Sequence, residues 1–160
     1  MVTIREACAP ADLAEVHALF EAYGAEFDHH VCFQSFQAEL DSLPGAYAPP
    51  EGVLLLAECD GGTAGCVALH KLEDGICEMK RLYVRPAYRS RKVGRILAEA
   101  IIGQARGRGY DRIRLDTLPV MERARALYET LGFKKVAPYR ANAAEEVIHM
   151  EMDLKIYTPA

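Results

Sequence analysis

The chain has 160 residues, a net charge of −4 and 51% hydrophobic residues, enough apolar material for one buried core and one domain spanning residues 1–160. The acidic balance gives no global reason to expect a nucleic acid or an anionic membrane as partner. No apolar run reaches the length of a bilayer span.

Val2 to Arg5 reads as a short strand. Pro10 and Asp12 then open a helix whose inner face carries Leu13, Val16, Phe20, Tyr23 and Phe27. A second helix carries Phe33, Phe36, Leu40 and Leu43, and Pro44-Gly45 stops it. Between the two helices lies Glu26-Phe27-Asp28-His29-His30. This is a polar helix–helix loop, and no metal is expected in it. From Val53 the period changes to that of strands. Val53–Ala57, Ala64–Leu69 and Ile76–Val84 are joined by turns at Asp60-Gly61-Gly62 and Asp74-Gly75, and form an antiparallel meander.

Val93, Ile96, Leu97, Ala100 and Ile101 fit the helical template, and Gly107 and Gly109 end that helix. Ile113 and Leu115 alternate inside a short strand. Ala124, Leu127, Tyr128 and Leu131 mark a last helix, with Gly132 as its left-handed cap and Phe133 folding back on the final turn. Ile148, Met150, Met152 and Leu154 alternate through a closing strand. The strand–helix–strand unit from Ile76 to Leu115 needs a right-handed crossover, so its two strands are expected to be parallel. The fold class is α/β, with a mixed sheet and helices on both faces.

Cys8, Cys32, Cys59, Cys66 and Cys77 are odd in number and form no C-x-x-C pair. Cys59, Cys66 and Cys77 lie in apolar runs and read as small buried hydrophobes in a reducing compartment. No basic-then-apolar segment opens the chain, so the cytoplasm is the expected location.

The chemistry concentrates in Arg89-Ser90-Arg91-Lys92-Val93-Gly94-Arg95, where a strand hands over to a helix. Arg89, Arg91, Lys92 and Arg95 meet there the unpaired N–H groups of a helix start, which makes a site for a phosphate or pyrophosphate. Gly94 lets a ligand approach the backbone closely. A solvated basic turn is the competing reading. Glu78 stands inside the third strand of the meander. Alternation puts it on the face of Leu82 unless a bulge intervenes, and an apolar strand should raise its pKa and suit it to base chemistry.

Leu82-Tyr83-Val84-Arg85-Pro86 followed by Arg89 to Gly94 resembles the coenzyme A-binding motif of the GNAT superfamily of N-acetyltransferases, Gln/Arg-x-x-Gly-x-Gly/Ala. Lys92 stands at the first glycine position. Ala126 to Phe133 resembles the same family's LYxxxGF segment, and Met121 replaces an asparagine often found seven residues before the tyrosine. The resemblance implies a mostly antiparallel sheet with a splayed central parallel pair. It implies acetyl-CoA as co-substrate, with its pantetheine arm in the gap pairing with the backbone of Leu82 and Val84. Leu82, Tyr83, Val84, Arg89, Ser90, Arg91, Lys92, Val93, Gly94 and Arg95 are then the expected cofactor contacts.

The resemblance also implies that Tyr128 is the general acid toward the leaving thiolate. It places the acceptor pocket near Glu26, Asp28 and the Pro138–Glu146 hairpin. A homodimer through that hairpin or the closing strand is a further implication. The implied activity is acetyl transfer to a primary amine of a small molecule or peptide by direct attack. A non-catalytic acetyl-CoA-binding sensor or partner module is the alternative, to which Lys92 and Met121 leave room.

Overall fold

The structure, a computed structural model, describes residues 1–27, 33–140 and 146–159. In chain order it contains β1 (Val2–Glu6), α1 (Pro10–Glu26), α2 (Phe33–Asp41), β2 (Val53–Cys59), β3 (Gly62–Glu73), β4 (Ile76–Val84), α3 (Val93–Gly107), β5 (Arg112–Thr117), α4 (Glu122–Leu131), β6 (Lys134–Val136) and β7 (Ile148–Asp153). Short 3-10 turns cover Gly45–Tyr47 and Pro86–Arg91. Among the described residues no helix is long and apolar enough to cross a membrane.

One seven-stranded sheet runs in the order β1-β2-β3-β4-β5-β7-β6. Every pairing is antiparallel except β4 with β5, the pair joined through α3. That crossover forces the parallel direction, as the strand–helix–strand order requires. β7 is inserted between β5 and β6, so the closing strand is internal and the edges belong to β1 and β6. This corrects the expectation that the closing strand offers a free edge. Its alternation reads equally well in either place, and only the return of the chain past β6 decides.

β4 and β5 pair over three positions alone, Ile76–Glu78 with Arg112–Arg114. Beyond them the strands part. The cause lies in β4, whose register against β3 shifts between Cys66 and Ala68. Opposite that shift Arg81 takes a left-handed φ of 59°. A bulge of this kind bends its strand and turns the following side chains to the other face. Cys77 and Met79 before it, and Leu82 and Val84 after it, therefore all face α3. Tyr83 faces α1 with Cys66 and Ala68. The condition attached to the sequence reading is thus met: Glu78 and Leu82 lie on opposite faces.

Two cores flank the sheet. On one side Leu55, Val67, Leu69, Ile113 and Leu115 pack against Val93, Leu97, Ile101 and Ile102 of α3. On the other, Leu54, Leu56 and Ala68 pack against Val16, Leu19 and Phe20 of α1 and against Phe36 and Leu40 of α2. Both layers bury the stripes that the 3.6-residue spacing sets on these helices.

α4 ends at Gly132, whose φ of 109° suits a residue without Cβ. Phe133 donates its N–H back to the Tyr128 carbonyl at 3.0 Å, and its ring meets the Tyr128 ring edge-on at 5.8 Å. The hydrogen bond and the stacked ring together fix Tyr128 at the end of the helix.

Candidate active site

The parting of β4 and β5 opens a cleft of about 500 Å³. Its walls are Met79–Val84 of β4, Leu115–Thr117 of β5, the first turns and inner face of α4, and the end of α1 at Tyr23, Glu26 and Phe27. Gly94 of α3 closes one end.

At that end α3 begins with Lys92, which takes φ 60° and ψ 22° and makes no side-chain cap. The first helical hydrogen bond is Ile96 N–H to the Lys92 carbonyl at 3.1 Å. The N–H groups of Val93, Gly94 and Arg95 thus have no intrahelical acceptor, as the geometry of any helix start dictates. A Cβ built on Gly94 would approach Val84 Cγ2 to 3.7 Å and Leu127 Cδ2 to 3.9 Å, ordinary contact distances. The protein itself has room for a side chain there. What the glycine leaves open is the floor of the cleft beside three unused donors, and this fits a phosphate.

Gly94→Ala accordingly separates folding from binding. Alanine should stabilise α3 by up to about 1 kcal/mol, read as a higher denaturation midpoint. The same methyl group should weaken phosphate-dependent ligand affinity about tenfold or more, read by calorimetry.

The left-handed Lys92 stands where the motif carries glycine. A lysine in that conformation costs about 1–2 kcal/mol, partly offset by the larger unfolded-state entropy that glycine would bring. Lys92→Gly is expected to raise the thermal midpoint by about 2–4 °C for a chain of this size. An unchanged or lowered midpoint in a melting curve would show that the strain is absent.

The four cations do not all point to the cleft. Arg91 pairs with Asp60 and reaches Cys59 Sγ at 3.5 Å. Arg95 pairs with Glu99 at 3.5 Å. Val93 is buried in the α3 core, and Ser90 and Lys92 are exposed. Arg89 does line the cleft, together with Leu82, Tyr83, Val84 and Gly94. Its Nε donates to the Val84 carbonyl at 2.9 Å, and its guanidinium pairs with Glu26 at 2.7 Å.

Tyr128 enters the cleft from α4 and is buried. Among the described residues its hydroxyl makes no hydrogen bond to a side chain or carbonyl of the protein. Burial raises its pKa, and the nearby Tyr23 and Asp116 add to the effect. Asp116, next to last in β5, lies on the cleft wall, with Lys80 at 3.7 Å and Arg140 Nε at 3.1 Å. The chain pattern around Asp116 resembles any strand end. Its position at the carboxyl end of a parallel strand is the one signal that could have singled it out.

Glu78 is fully buried, outside the cleft lining and on the face of β4 opposite Leu82. Its carboxylate receives His70 Nε2 at 2.7 Å, the Tyr139 hydroxyl at 2.5 Å and the Arg140 guanidinium. His70 Nδ1 lies 2.9 Å from the Lys71 carbonyl, which holds the ring in place. Burial alone would push the Glu78 carboxyl up. His70, Lys80, Tyr139 and Arg140 outweigh it and hold the group at about 2. The expected rise is therefore corrected to a fall. An apolar strand predicts desolvation, but the donors come from β3 and from the segment after β6, which strand pattern cannot reveal. Tyr139 and Arg140 had no sequence signal of their own.

Glu26 lies at the end of α1 against Arg89 and accepts a hydrogen bond from the Tyr83 hydroxyl at 3.3 Å. Asp28, with His29 and His30, lies outside the described residues, as does part of the Pro138–Glu146 hairpin.

A sheet that splits at a parallel pair, with helix-start donors and a buried tyrosine from the following helix both lining the split, is built to hold an elongated ligand between its strands. Residues 14–133 match the acetyltransferase (GNAT) family, and the chain belongs to that family. It is 40% identical over 147 residues to an uncharacterised N-acetyltransferase of Schizosaccharomyces pombe, covering 91% of this chain and 90% of that one. A GNAT-family acetyltransferase from Staphylococcus aureus Mu50 shares the fold with a TM-score of 0.80 at 20% identity, over 96% of this chain and 99% of that one. A Salmonella typhimurium protein, yncA, described as a putative acetyltransferase and solved with its cofactor acetyl-CoA, superposes with a TM-score of 0.71 at 19% identity, over 99% and 96% of the two chains.

Proposed function

We propose that this protein transfers the acetyl group of acetyl-CoA to a primary amine of a small molecule or peptide by direct attack, acting as one domain in the cytoplasm. The observation that carries the reading is the cleft itself. It joins an unfilled set of helix-start N–H groups at Gly94 to the Tyr128 hydroxyl through the unpaired edge of β4. In this reading the N–H groups of Val93, Gly94 and Arg95 hold the pyrophosphate. The edge of β4 from Leu82 to Val84 lines the path of the pantetheine arm, and a backbone N–H near Leu82 polarises the thioester carbonyl.

Acetyl-CoA supplies an acetyl group already activated as a thioester. The protein must manage three proton movements: one off the ammonium before attack, one onto the departing sulfur and one off the nitrogen as it becomes an amide. A lysine-like ammonium has a pKa near 10.4, so making it neutral at pH 7 costs roughly 4–5 kcal/mol. We assign that proton to Asp116, the carboxylate on the cleft wall. Glu78 acts as a positioning residue that anchors Tyr139 and Arg140. As the C–N bond forms and the C–S bond breaks, Tyr128 donates its proton to the departing sulfur, and the second proton that nitrogen loses on becoming an amide returns to the Tyr128 phenolate.

Phenol and thiol differ by only about 2 kcal/mol in water. Burial moves both upward together: in this same protein it pushes the Cys66 and Cys77 thiols to about 12. The raised Tyr128 thus remains matched to a sulfur buried beside it.

The test is incubation with acetyl-CoA and a panel of amines, following free thiol and acetylated product together. Equimolar coenzyme A and N-acetyl product are expected. Thiol release with no acetylated amine, or no turnover by protein that is melted at an unchanged temperature in excess coenzyme A, would refute the reading.

A further inference from the structure

Glu26, Tyr83 and Arg89 form a closed set at the mouth of the cleft. Arg89 is held from three sides. Its Nε is pinned by the Val84 carbonyl at 2.9 Å, one terminal nitrogen meets Glu26 at 2.7 Å, and the guanidinium lies 5.6 Å from the centre of the Tyr83 ring. Glu26 is held from two, by Arg89 and by the Tyr83 hydroxyl. All three residues line the cleft, and Arg89 and Glu26 are each about one-third exposed. The pair is therefore reachable by solutes. Arg89 stands at the end of the turn that leads into α3, while Glu26 is the last residue of α1, the helix that forms the opposite wall.

We infer that Glu26 competes with the phosphate groups of acetyl-CoA for Arg89, and that cofactor binding turns Glu26 into the receptor for a cationic group of the acceptor. This inference rests on the proposed acetyl-CoA reading. A phosphate approaching the donors at Gly94 meets an arginine whose charge is already neutralised by a carboxylate. Taking the guanidinium weakens its bond to Glu26. The carboxylate keeps the Tyr83 hydroxyl and stays at the cleft wall, which Tyr23, Phe27 and Tyr83 also line. A carboxylate on a wall that also carries aromatic residues suits an ammonium, through charge and through the ring quadrupoles. The acceptor class this selects is an amine carrying a positive group in addition to the one acetylated. Because coupling is reciprocal, each ligand should tighten the other.

The experiment measures coenzyme A affinity of the wild type and of Glu26→Gln by calorimetry. An ion pair about one-third exposed is worth up to about 1 kcal/mol, so removing the competing charge should tighten coenzyme A about two- to fivefold. Pantetheine, which has the arm and no phosphate, should bind both proteins equally. With 1,4-diaminobutane as the probe cation, wild type loaded with coenzyme A should bind it more tightly than free wild type, and Glu26→Gln should erase the difference. Unchanged or weaker coenzyme A binding by Glu26→Gln would overturn the competition. Equal diaminobutane affinity of free and loaded wild type would overturn the release. A wild type that binds no coenzyme A would instead sink the reading on which the inference rests.

Discussion

Tyr128→Phe should lower the rate of acetyl transfer about 10²- to 10⁴-fold, the usual worth of a positioned acid, while leaving coenzyme A affinity as it is. The ring carries the packing: it sits in the α3 core and stacks on Phe133, and phenylalanine keeps both contacts. The hydroxyl has no partner among the described residues, so its removal strands no donor or acceptor. The melting temperature should hold or rise slightly. Rate, affinity and melting therefore separate cleanly. A variant that keeps full rate in single-turnover measurements would remove Tyr128 from the chemistry, whatever its effect on stability.

Glu78→Gln should cost on the order of 3 kcal/mol of stability at pH 7. The carboxyl is held at about 2 in the folded protein against an ordinary 4.5. A group with a depressed folded pKa stabilises the fold fully above its unfolded pKa, and that contribution is lost as pH falls through the folded value. Wild-type stability should thus decline from about pH 4.5 toward pH 2, and the Gln variant should lack this component of the slope. The comparison is made by denaturant titration across that range. Identical slopes in the two proteins would mean that Glu78 is not held charged by Arg140, Tyr139 and His70. The same residues explain why Glu78 serves as an anchor. A carboxylate that already receives three donors and holds its proton so weakly gives little drive for taking one from an ammonium.

Local chemistry determined much of this protein from its sequence. A continuous apolar run marked β2 and the turns around it marked β3, each shorter than the strand that forms, whereas β4 was legible to its ends because Gly75 and Pro86 bound it. The apolar stripe of α3 and the Gly132 cap of α4 were legible for the same reason, since each depends on residues within one or two turns. The parallel direction of β5 followed from handedness alone. The basic turn before α3 was legible as a run of cations at a helix start.

Tertiary structure decided the rest. The bulge at Arg81 is stabilised by Glu39 of α2, which binds the guanidinium in two-pronged fashion at 2.9 Å, and by the rings of Tyr23 and Phe36. No window of β4 contains those partners, yet the bulge sets which face Glu78 occupies and opens the cleft. Arg91 and Arg95 read from sequence as phosphate ligands, and the fold adds what sequence could not show, their pairing with Asp60 and Glu99. The carboxyl of Glu78 reads as raised until Tyr139 and Arg140 arrive from 61 and 62 residues away. Hydrophobic period and turn chemistry act between neighbours in the chain, whereas charge pairing and strand register act between neighbours in space.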